Sequence, residues 1–158
     1  TLGKELNLSL RMVNNSAKAM QFEEAFHTYL AVADVRDVSL VGLKDVHYFD
    51  KTDNLSKKIE IEPLRLSSET DRLYINTAST VTLHEDTAQR QITLSKEDSA
   101  TTVVWNPWAE ASAKMADMEP DGWQRMVCVE TANAGVNAIV LGPGQSHTMQ
   151  ATISIDSN

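Results

Sequence analysis

Four apolar side chains, Leu6, Leu8, Leu10 and Met12, alternate with Glu5, Asn7, Ser9 and Arg11. A period of two scatters such residues around a helix but gathers them on one face of a strand. The run therefore reads as a half-buried strand, and Asn14-Asn15-Ser16 breaks it. The same logic carries down the chain. Gln21 to Ala33 reads as one longer strand. Val38 to Val41 and Val46 to Phe49 are short strands parted by Gly42. Asp50 to Asn54 is a polar turn, and Lys57-Lys58 a solvated stretch. Leu73 to Ile75, Val81 to Leu83, Gln91 to Leu94 and Thr101 to Trp105 follow at short spacing. Met126 to Glu130, Asn137 to Leu141 and Thr148 to Ile155 complete the set. Many short strands joined by turns indicate an all-β antiparallel sandwich or barrel. With no internal repeat or linker in view, residues 1–158 read as a single domain.

One segment departs from this pattern. Asn106 can cap a helix, and Pro107 suits the first helical position, where a missing N–H costs nothing. Ala109 to Met118 is rich in Ala, Glu, Lys and Met, all good helix formers. Pro120-Asp121-Gly122 ends it. One short helix is expected there.

Charge narrows the functions. With 22 acidic and 14 basic residues the chain carries a net charge of -8. A nucleic-acid or membrane-surface binder needs a positive footprint that this balance does not supply. A small phosphorylated metabolite needs only a few local Arg or Lys residues and stays open. Cys128 is the only cysteine, so no internal disulfide forms and a reducing, cytoplasmic compartment is expected. No apolar run reaches the ~20 residues of a membrane-spanning helix. His47, His84 and His147 show no metal-ligand spacing, and one cysteine does not make a zinc site, so no metal is expected. There is no phosphate loop after Leu141-Gly142-Pro143-Gly144 and no nucleophile elbow.

Three side chains could carry chemistry. Alternation puts His27 on a face with Ala25, Tyr29, Ala31 and Ala33, small neighbours that leave room beside the ring. It could equally be a structural histidine held by one hydrogen bond. Glu130 ends a strand that is apolar on both sides. Desolvation there would raise its pKa and make it a better base, unless it reaches solvent from the strand end. Asp71 sits just before a strand, where an Asp commonly caps a turn. Trp105-Asn106-Pro107-Trp108 could build an apolar wall for a sugar ring. A structural corner opening the helix is the favoured reading.

Several stretches, in this order, resemble the hexose-6-phosphate mutarotases, a branch of the aldose 1-epimerase superfamily. They are Phe26-His27-Thr28-Tyr29-Leu30, Glu69 to Tyr74, Val103 to Trp108, Met115-Ala116-Asp117-Met118, Met126 to Glu130 and Leu141 to Gly144. The resemblance implies a galactose-mutarotase-like sandwich, of which this chain would be the C-terminal half. It implies His27 as general acid, Glu130 as general base and Asp71 as the carboxylate that holds sugar hydroxyls. The implied activity interconverts the anomers of an aldohexose 6-phosphate or related aldose by ring opening and closure, with no cofactor. Family members are about twice as long, and the part preceding Thr1 there grips the phosphate with basic residues. A companion N-terminal fragment or self-association is then expected to cover the open sheet. The alternatives are a non-catalytic carbohydrate-binding or regulatory module, and a structural β-domain.

Overall fold

Alternation becomes strand pairing in the computed structural model, which describes residues 5–61 and 63–157. The first strands are β1 (Glu5–Val13), β2 (Met20–Phe22), β3 (Glu24–Phe26), β4 (Tyr29–Ala31) and β5 (Val38–Val41). Next come β6 (His47–Asp50), β7 (Ser56–Ile59), β8 (Leu64–Arg65), β9 (Thr70–Ile75) and β10 (Val81–Glu85). The remainder are β11 (Arg90–Glu97), β12 (Thr101–Asn106), β13 (Met126–Asn133), β14 (Ile139–Leu141) and β15 (Ser146–Ser157).

Two antiparallel sheets use nearly all of them. One runs β1-β15-β11-β10-β5-β8 and the other β3-β13-β12-β9-β6-β7, with β4 also on β13. The pair β14-β2 stands apart. Leu40, Leu83, Ile92, Leu94 and Ile153 of the first sheet share one core with Tyr74, Val104, Val127 and Val129 of the second. Apolar faces meeting in this way make a sandwich, as the alternation indicated. On β1 every second residue is half-buried and the intervening ones are exposed. Gly42 has φ +108, and a Cβ there would lie 2.0 Å from the Thr80 carbonyl oxygen, so only glycine fits the turn after β5.

The structure redraws some boundaries. Gln21 to Ala33 is three strands rather than one. The interruption at His27-Thr28 comes from the Thr28 N–H, which donates to the Phe26 carbonyl in a three-residue turn centred on His27. Register survives it: Phe26 pairs with Thr131 and Tyr29 with Cys128, two residues intervening on each strand. The Lys57-Lys58 stretch lies in the edge strand β7, where Lys57 is exposed and Lys58, on the opposite face, pairs with Asp50 and Asp53.

The helix is also shorter than expected. α1 spans only Trp108–Ser112. Beyond it Lys114 and Met115 donate to carbonyls three residues back, a tightening that ends an α-helix. Pro107 occupies the cap position rather than the first helical one. Among the described residues no helix is long and apolar enough to cross a membrane.

Candidate active site

The outer face of β13 and its neighbours holds the polar groups. Cross-strand partners put His27 opposite Glu130, Glu130 opposite Val103, and Val103 opposite Leu73. The next row on that face is Tyr29, Cys128, Trp105 and Asp71. A cavity of about 390 Å³ opens on this face, lined by His27, Lys51, Asp71, Trp105 and Glu130 together with Glu23 and Gly135. That volume is within the range of small-ligand sites, roughly 300–1,000 Å³.

His27 Nε2 lies 3.3 Å from Glu130 Oε1. The His27 side chain is 51% exposed and that of Glu130 only 8%. The imidazole stacks on Tyr29, with ring centroids 4.8 Å apart, and meets the edge of Trp105 at 5.8 Å. Those contacts hold the ring upright beside the carboxylate. Burial pushes the Glu130 pKa above the ordinary glutamate value. His27 and Lys51 oppose that rise, and Asp71 adds to it. A carboxylate tuned in this direction is a better base near neutrality.

Asp71 is not a turn cap. It is the second residue of β9, and Lys51 Nζ lies 3.1 Å from its Oδ1. Glu130 is likewise not at a strand end, because β13 continues to Asn133 and every residue of it is buried. The structure thus brings all three sequence candidates into one cavity.

Lys51 was not among those candidates. It lies in the polar turn after β6, in a short 3-10 turn spanning Lys51–Asp53. The Asp50 carboxylate fixes that turn by accepting from the Thr52 N–H at 3.0 Å and from the Thr52 hydroxyl at 2.6 Å. Lys58 bridges Asp50 and Asp53 at 2.8 Å each. A lysine in a polar turn looks like any surface lysine, so no sequence signal marks it.

The Trp-Asn-Pro-Trp motif divides its labour. Trp105 is cavity wall, while Trp108 packs on Trp123 with centroids 4.5 Å apart. Between them Asn106 is fully buried. Its amide donates to the Trp123 and Met126 carbonyls, 2.8 Å each, and its Oδ1 accepts from the Trp108 N–H at 2.9 Å.

The Aldose 1-epimerase family model matches residues 1–154, and the chain belongs to that family. A protein of Cenchrus ciliaris, named as a candidate glucose-6-phosphate 1-epimerase, is 30% identical over 152 residues, covering 91% of this chain and 45% of its own length. An Escherichia coli K12 protein with the same name is 31% identical over 128 residues, covering 80% of this chain and 43% of its own. The crystal structure of a candidate mutarotase, YeaD of Salmonella typhimurium, superposes with a TM-score of 0.88 at 25% identity, over 99% of this chain and 52% of that one. This chain therefore spans about half the length of the relatives it matches.

Proposed function

We propose that this chain carries the acid–base half of a mutarotase acting on an aldohexose, with a hexose 6-phosphate as substrate. The observation that carries the reading is the contact between a half-exposed imidazole and a buried carboxylate, 3.3 Å apart, at the floor of an open cavity.

The spacing suits the chemistry. The anomeric hydroxyl oxygen and the ring oxygen are bonded to the same carbon, C1. An acid and a base that serve both must therefore sit side by side. Glu130 takes the anomeric hydroxyl proton, and the C1 carbonyl forms as the bond from C1 to the ring oxygen breaks. His27, as imidazolium, gives its proton to the departing ring oxygen. The open aldehyde turns about C1–C2, and closure on the other face runs the transfers in reverse. Atoms and electrons balance without a redox partner. Asp71, tethered to Lys51, faces the same cavity and is the group to accept hydrogen bonds from sugar hydroxyls. Trp105, in the cavity wall, offers apolar surface for the ring's C–H face.

The phosphate is the finer part of the proposal. The cavity carries the carboxylates of Glu23, Asp71 and Glu130 against Lys51 and His27. This excess of negative charge does not grip a dianion. A phosphate site built from basic residues of a further segment, in the same chain or a companion, fits both the half-length match and the names of the relatives.

The half-length match also favours a second reading, a sugar-binding module without turnover. One experiment separates the two. Anomerisation of glucose 6-phosphate and of glucose is followed by exchange NMR with the chain and with Glu130→Gln. Acceleration that Glu130→Gln abolishes supports the acid–base assignment, and faster exchange of the phosphorylated sugar supports the substrate. Sugar binding without acceleration selects the module.

A further inference from the structure

The Glu130 carboxylate has a second neighbour that ring opening does not use. Cys128 lies two residues before it on β13, and alternation turns both side chains to the same face. One donor atom each of His27, Cys128 and Glu130 lies within 4.8 Å of the other two. We propose that these three side chains form a binding site for Zn2+ or a similarly thiophilic divalent cation, and that its occupation silences the acid–base pair.

The donor set selects the metal. Thiolate, imidazole and carboxylate together suit zinc, whereas Mg2+ and Ca2+ require shells of oxygen. Tetrahedral Zn2+ with bonds of about 2.0–2.3 Å needs neighbouring donors about 3.3–3.8 Å apart. The His27–Glu130 separation of 3.3 Å already meets this. Drawing in the remaining donors takes about 1.5 Å of movement at most. His27 has room for it, being half-exposed on an interrupted edge strand. His27 and Glu130 also line the cavity, which would supply the fourth ligand, as in metal sites with three protein ligands. Tyr29, stacked on the imidazole, steadies that ligand.

Burial and the adjacent Glu130 push the Cys128 thiol pKa up, so without metal the sulfur keeps its proton and takes no part in the chemistry. When a Zn–S bond forms, that proton leaves to solvent. The expectation of no zinc site rested on the spacing of His47, His84 and His147 and on the single cysteine. A cluster assembled across two strands leaves no such spacing.

Binding does not depend on the acid–base reading; only the silencing does. The test is a titration of the chelator-treated chain with Co2+, read by its thiolate-to-cobalt charge-transfer band and its four-coordinate visible bands. The site predicts both, with Zn2+ bleaching them by displacement. Cys128→Ser should lose the charge-transfer band. His27→Asn should weaken Co2+ by about tenfold or more, while His47→Asn, at an exposed histidine elsewhere, should leave binding unchanged. Co2+ binding without a thiolate band overturns the site. So does an unchanged affinity in His27→Asn, a half-exposed position whose folding is verified by circular dichroism. If the chain turns over glucose 6-phosphate, saturating Zn2+ should abolish that turnover; if it does not turn over, the cobalt result still decides the site.

Discussion

His27 and Glu130 face each other at 3.3 Å, yet one is half-exposed in the break between β3 and β4 and the other is buried on β13, which is paired on both sides. In the proposed mechanism the proton donor is thus the exposed partner and the acceptor the buried one. Burial is the largest cause of the raised Glu130 pKa, and the protein bears the cost of an ionised carboxylate that water does not fully solvate.

That cost has a measurable sign. The folded pKa of Glu130 lies above its unfolded value, so its contribution to stability is present below about pH 4 and is lost as pH rises through the folded value. Glu130→Gln removes the loss. We expect its melting temperature to exceed that of the native chain by about 2–4 °C at neutral pH, with the gain vanishing near pH 4. A gain independent of pH would show that ionisation is not its source.

Lys51 holds the Glu130 pKa down, and its neutralisation also unmasks the charge of Asp71. Both effects disfavour the Glu130 carboxylate. Lys51→Met should therefore move the acidic limb of the kcat/KM profile to higher pH, provided the chain is active. A limb that stays or moves down in pH contradicts the coupling.

The Asn106 side chain makes three hydrogen bonds to backbone groups from a site with no exposure. It also supports Trp108, whose φ of 57 is strained for so bulky a residue. Asn106→Ala leaves buried carbonyls and an N–H without partners. The expected loss is about 2–4 kcal/mol, a fall in melting temperature of roughly 5–15 °C. A change of less than about 2 °C would remove Asn106 from its supporting role.

Lys96 reaches from β11 to β12, donating to the Thr101 carbonyl and the Thr102 hydroxyl at 2.8 Å each. Burial lowers its pKa to about 7. Its folded pKa is thus depressed, so the stability it contributes is present above about pH 10 and lost as pH falls through about 7. Lys96→Met loses the same two hydrogen bonds at every pH but no longer buries a charge. Relative to the native chain it should fare better at pH 6 than at pH 9. Parallel stability curves would refute the burial of an ammonium there.

Alternation made the site's faces legible. Because the turn at His27-Thr28 keeps register with β13, odd-numbered residues from Ala25 to Ala31 stay on the outer face, as a single unbroken strand would have put them. Buried Glu130 was readable from its apolar neighbours. Thr70-Asp71-Arg72 was not read as strand, because its polar side chains face a cavity or bond within the protein rather than marking a loop. Arg72, for instance, pairs with Glu60 at 2.6 Å and lies over Tyr48. The helix was overextended because composition reports propensity and says nothing of where hydrogen bonds tighten. Lys51 and the Cys128 cluster depend on which strands become neighbours, and that information is spread over the whole chain.

The pairing of β1 with β15 has a consequence for how the molecule comes into being. Its register joins Glu5 to Ser154 and Val13 to Ser146, and β15 also pairs with β11 on its other side. During synthesis neither the β1–β15 pairing nor the β11–β15 pairing can form until the strand beginning at Ser146 has left the ribosome. Contacts so distant in sequence are slow to form, and until then two unpaired edges stand open to other chains. Yield should thus depend on the time that β1 spends waiting, and a chaperone that shields it would serve assembly more than any gain in native stability.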